Sequence, residues 1–186
     1  PYTGLISGAL IELPWIDRLP IGAYVPPNCS VVAVLVAAGS ILAGKELGNS
    51  SRELIALSIL LFIPFGILGQ KMDAWIMRSN DRLSQKAVED AGIGDIEGIS
   101  SKHLFGLLKT FFCTVSFVLV FLVLGVMALV YIFPLIPRNG LTALTYIYFF
   151  LPLLGVAVAL NTTKLRGMVP VFCGVFIIVT FVFEFL

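Results

Sequence analysis

Glu12 is the residue most able to do chemistry in this chain. It sits inside GLISGALIELPWI (residues 4–16), a segment that is otherwise apolar. An ionisable group among membrane-length apolar residues is costly, so it marks a functional site by default. A carboxylate accepts strongly from hydroxyl donors, which suits a polyhydroxylated ligand. The alternative is a structural acid, protonated or paired with Arg18. Asn28 closes the linker DRLPIGAYVPPN (residues 17–28) and offers a hydroxyl both a donor and an acceptor. It can equally cap the helix that begins at Cys29, and one residue can do both beside a positive helix end. Gly22 and Ala23 would let backbone groups approach a ligand closely; turn chemistry with Pro20, Pro26 and Pro27 explains them as well.

These residues must be positioned by a membrane protein. The mean hydropathy is +1.03. Of the 186 residues 59% are hydrophobic and 12% charged, against roughly 25% charged in a soluble domain. The net charge of +1, with no basic run and no set of stacking aromatics, excludes nucleic acid as a partner. Cys29, Cys113 and Cys173 have no metal-ligand spacing and read as inert apolar residues. No basic n-region with a cleavage site precedes residue 4, so a signal peptide is not expected, and the absence of Met at position 1 suggests that the start is missing.

A spanning helix needs about 20 apolar residues. Residues 141–160 and 168–186 meet this, 110–136 can tilt, and 53–70 suffices with kinks at Pro64 and Gly66. Residues 30–44 are short for a span, and 4–16 shorter still, which favours a re-entrant element. Two short apolar segments interrupted by Gly and Pro are the pattern of broken helices lining a transport site. The fold class expected is therefore an all-α membrane protein: a multi-pass helical bundle with an N-terminal broken or re-entrant element and a cytoplasmic amphipathic helix.

Three regions follow. Residues 1–70 hold the broken helix and the substrate site, 71–103 form a cytoplasmic amphipathic arm and loop, and 104–186 form a three-helix membrane region. In the arm, Met72, Trp75, Ile76, Leu83 and Ala87 recur at helical spacing. Asp73, Arg78, Asp81, Arg82, Lys86, Glu89 and Asp90 lie opposite. Such a helix lies at the membrane interface. Residues 92–98 break it, and Ser100 and Ser101 are expected to cap the helix starting near His103. The side holding Lys71, Arg78, Arg82, Lys86, Lys102, Lys164 and Arg166 outweighs the side with Lys45, Arg52 and Arg138, which places the arm in the cytoplasm.

In the order and spacing of its polar punctuation the chain resembles the membrane subunit IIC of the mannose/fructose/sorbose branch of the bacterial sugar phosphotransferase system (PTS). The match runs through TGLISGALIE, the IGAYVPPN turn, Pro64 with Gly69–Gln70, the arm MRSNDRLSQKAVEDAGIGDIEGIS, His103–Leu104, and Asn161, Arg166, Gly167 and Pro170. The resemblance implies a hexose permease in the bacterial inner membrane that works with a second membrane subunit, IID, in a complex that can itself form homo-oligomers. Cytoplasmic IIA and IIB subunits would relay phosphate, so this chain carries no catalytic residue, cofactor or metal. It adds Gln70 and Asn161 to Glu12, Asn28, Gly22 and Ala23 as sugar contacts, although by position alone both read as interfacial groups at span ends. It also argues against His103, the single histidine, as a phosphocarrier. Two departures stand out: a further N-terminal hydrophobic hairpin is usual in the family, and the position of Asn28 is often Asp. A membrane transferase would show clustered Asp for Mg²⁺ or a His/Glu zinc set, and the acids at 89–97 lie instead in a solvated setting. A scaffold or receptor would leave Glu12 unexplained.

Overall fold

The computed structural model describes residues 2–15, 18, 24–48, 50–162, 171 and 174–175. Among them are helices and turns, and no strand. Helix α1 (Tyr2–Glu12) passes through a 3-10 turn (Leu13–Trp15) into the linker. Then follow α2 (Cys29–Glu46), α3 (Arg52–Phe62), α4 (Pro64–Ile93), α5 (Ile96–Ile132), a second 3-10 turn (Phe133–Leu135) and α6 (Arg138–Thr162). Among the described residues four segments are long and apolar enough to cross a membrane: Cys29–Glu46, Arg52–Ile93, Ile96–Leu135 and Arg138–Leu160. Helix α1, with 11 residues, reaches only about 16 Å at 1.5 Å per residue, short of a roughly 30 Å hydrocarbon core. Most of residues 168–186, the last expected span, lies outside the described residues.

The core forms where α2 meets α1, α3 and α5. Val32, Leu35 and Val36 of α2, Leu54, Ile59 and Phe62 of α3, Ile11 of α1 and Leu129 of α5 are fully buried there. Phe62 fixes the spacing. Its ring fills the gap between Gly39 and Gly125, where an added Cβ would come within 2.7 Å and 2.1 Å of ring carbons. Small residues on α2 and α5 thus let three helices close around one aromatic, the packing logic of helices in lipid. Phe62, Phe65, Phe121 and Phe117 continue as a chain of tilted rings. On the other flank Glu53 accepts a hydrogen bond from Thr145 Oγ1 at 2.8 Å, and Arg52 lies over the ring of Phe149, tying α3 to α6.

The kink foreseen at Pro64 is where α3 gives way to α4, with Ile63 between them. Proline has no N–H to continue the ladder but suits a first helical turn. From there α4 runs for 30 residues without interruption, through positions 70 and 71. It packs antiparallel on α5 in a helical hairpin. Gly94, at φ 74°, ends α4 in the left-handed conformation that glycine accepts without strain. Two readings of the arm are corrected. The next helix begins at Ile96, with Asp95 accepting from Gly98 N as its cap, so Ser100 and Ser101 lie inside it. A carboxylate cap gains from the positive helix end as well as from the hydrogen bond. The apolar stripe of the arm also faces protein: Ile76 is buried and Leu83 and Ala87 face α5, while Trp75 stays exposed with the Lys109 ammonium 5.3 Å above its ring.

Candidate functional site

The polar centre of the N-terminal half is built where residues 25–28 lie against the first turns of α4. Gly66, Gly69, Gln70 and Asp73 recur at i, i+3, i+4 and i+7, which puts them on one helical face. The two glycines make that face flat. An added Cβ at Gly69 would stand 2.9 Å from Asn28 Cβ, and one at Gly66 would stand 2.9 Å from the Trp15 indole. The backbone N–H of Asn28 donates to the Gly66 carbonyl at 3.0 Å. The Gln70 amide donates to the Val25 carbonyl. An extended segment has no internal partners for its polar groups, and here α4 supplies them.

Asn28 is the hinge of this arrangement. Its Oδ1 accepts from Val31 N at 2.9 Å and caps α2, while its Nδ2 donates to Asp73 Oδ2 at 2.7 Å. Both halves of the amide are therefore in use: the cap expected of Asn28 is present, and its other half is bonded to Asp73. Asp73 lies near the positive end of α2, which favours a carboxylate there. A charge-assisted bond of this kind is worth about 1.5–3 kcal/mol when partly buried.

Asp73 joins this cluster without having been singled out in the sequence: it stands there among the charges opposite the arm's apolar stripe, whereas the structure pairs it with Asn28, 45 positions earlier. The signal was present in the register from Gly66 to Asp73, but only contact with the linker gives that register meaning. Glu12 stands apart from the cluster: it ends α1 with an exposed side chain, and no hydrogen bond joins it to Asn28, Gln70 or Asp73. The 3-10 turn after it connects the two places, since Trp15 packs on Gly66 and Leu13 on Gly155 of α6. Gly22 and Ala23 lie outside the described residues, as does the side chain of Asn161, whose backbone is in the last turn of α6.

Chemically the cluster offers one carboxylate, two amides and backbone carbonyls, a set that exchanges hydrogen bonds with hydroxyls. It contains no nucleophile beside a base. Among the described residues no three His, Cys, Asp or Glu side chains are grouped so as to hold a metal ion.

No curated protein and no solved structure matches the chain. A family model does, the sorbose-specific IIC component of the PTS, over residues 1–185. With four membrane-length helices behind that match, the chain belongs to the PTS sorbose-specific IIC family, the sugar-permease component of a phosphotransferase system, and is a multi-pass membrane protein.

Proposed function

We propose that this chain holds a hexose of the mannose/fructose/sorbose class at the Asn28–Asp73–Gln70 cluster during import across a bacterial inner membrane. In this reading it works with a IID membrane subunit and receives phosphoryl transfer from IIB and IIA partners. The observation that carries the reading is the Asn28–Asp73 bond: a carboxylate and an amide held together at a helix N-terminus, beside two glycines that let Trp15 and Asn28 close onto α4. A sugar hydroxyl can insert there, accepting from the amide and donating to the carboxylate. Glu12, at the end of α1, supplies a second acceptor, with Gly22, Ala23 and Asn161 as further contacts.

The test is sugar binding to the complex purified with its partner membrane subunit. Asp73→Asn keeps the shape of the side chain but replaces the charged acceptor. Losing a charge-assisted hydrogen bond of about 1.5–3 kcal/mol weakens hexose binding about 10- to 150-fold. Unchanged affinity in a normally inserted Asp73→Asn protein would remove Asp73 from the site. Uptake that proceeds without a phosphoryl donor would remove the coupled mechanism.

A further inference from the structure

Trp15 stands between the two places that offer acceptors to a sugar. Glu12 ends α1, and Trp15 follows three positions later at the end of the 3-10 turn. A turn of this kind brings residues three apart to the same side, so Glu12 and Trp15 are neighbours. Its other edge lies on α4. The six-membered part of the indole packs on Gly66, where an added Cβ would come within 2.9 Å of Cη2 and 3.1 Å of Cζ2. Any side chain at Gly66 would push the ring off the helix. One turn further along the same face Gly69 carries Asn28, whose backbone N–H donates to the Gly66 carbonyl at 3.0 Å. Trp15 and Asn28 therefore sit side by side on two glycines three residues apart, and Gln70 and Asp73 continue that face.

The indole is not used up by this packing. Trp15 touches the buried core but is itself only half-buried. A tryptophan pairs a large, rigid apolar face with a polar tip. The groups around it are hydroxyl partners: the carboxylates of Glu12 and Asp73 and the amides of Asn28 and Gln70. An apolar plate among such groups suits a ligand that is itself both apolar and polar. A hexose in its closed form is one, with hydroxyls around the rim of the ring and a patch of C–H groups on its face. The open-chain alditol of the same hexose keeps the hydroxyls and lacks the ring.

We propose that a hexose ring stacks on the Trp15 indole while its hydroxyls reach Glu12 on one side and the Asn28–Asp73 pair on the other. The proposal rests on the sugar-site reading above and adds the form in which the sugar is held, a closed ring with a C–H face. Hydrogen bonds count hydroxyls, whereas the indole responds to the apolar face. Trp15 thereby sets a preference for the cyclic hexose over its alditol.

The experiment measures binding to the complex purified with its partner membrane subunit, by isothermal titration calorimetry. The probes are D-mannose against D-mannitol and L-sorbose against D-sorbitol. Covering about 40–60 Å² of apolar ring corresponds to about a five- to tenfold preference for the hexose. Trp15→Leu should remove that preference, and Trp15→Phe, which keeps a ring, should retain most of it. Tryptophan emission gives a second readout, because this chain has two tryptophans, Trp15 and Trp75. The change in emission on adding hexose should be lost in Trp15→Phe and kept in Trp75→Phe, and it serves if Trp15→Leu does not fold. No preference in the parent, a preference that survives Trp15→Leu, or equal emission changes in the two Phe variants overturns the stack. Asp73→Asn separates that failure from failure of the site. Weaker hexose binding in Asp73→Asn beside an unchanged preference in Trp15→Leu removes the stack alone. Unchanged affinity in both variants places the sugar elsewhere and removes both readings.

Discussion

Asn28 donates its side-chain amide to Asp73 at 2.7 Å while capping α2, so a single residue joins the linker, the start of α2 and the face of α4. Asparagine suits the position because its amide can donate to the carboxylate from one end and accept from the helix at the other.

Asn28→Asp should make the site depend on pH. The cap would survive, but two carboxylates at hydrogen-bond distance cannot both be ionised without strong repulsion, and the pair would hold a proton in common. The repulsion is absent at low pH and grows as both carboxylates ionise on the alkaline side. Sugar binding and thermal stability of Asn28→Asp, measured across pH, should both fall on the alkaline side relative to the parent. Identical pH profiles for the two proteins would show that the side chains are not in contact.

Gly69→Leu should displace residues 25–28. Even the Cβ would come 2.9 Å from Asn28 Cβ, and both atoms are fixed close to backbone. Overpacking of this sort costs about 1–3 kcal/mol. A loss of hexose affinity greater than the loss of stability is expected, because the Asn28–Asp73 pair is what moves. Binding as tight as in the parent would mean that the cluster is not the sugar site.

Glu12→Ala should weaken uptake about 10- to 150-fold if its carboxylate accepts from a sugar hydroxyl, by the value of one charged hydrogen bond. Insertion should be normal, since the side chain is exposed and packs no core. Wild-type uptake by the Glu12→Ala protein would leave the cluster around Asn28 as the whole site.

Phe62→Ala should be the most damaging single truncation in the core. The ring is fully buried between Gly39 and Gly125. Such a change costs about 3–5 kcal/mol in soluble proteins. In lipid, where helix association rests on packing, the cavity part of that cost remains. Unfolding of the detergent-solubilised protein, followed by circular dichroism, should show a clear loss, while Phe150→Ala on the exposed face of α6 should show little. Equal stability of the two variants would contradict the packing around Phe62.

Composition, apolar run length and prolines by themselves determined the class of this protein and most of its helices. Lipid leaves a backbone few choices but to bond within its own segment, so a run of some 20 apolar residues is already a helix. Pro64 marked the break before α4, and Asn28 marked the start of α2, because both act locally. The sequence did not show that α4 continues unbroken through Gln70 into the arm. It also did not show that the stripe of Ile76, Leu83 and Ala87 faces α5. An amphipathic helix has the same periodicity whether protein or membrane covers its apolar side. Asp73 was hidden for a similar reason. Along the chain it is one more acid on a polar face. It meets Asn28 only when residues 25–28 lie against the glycines of α4, a pairing 45 positions apart that only the packed helices decide.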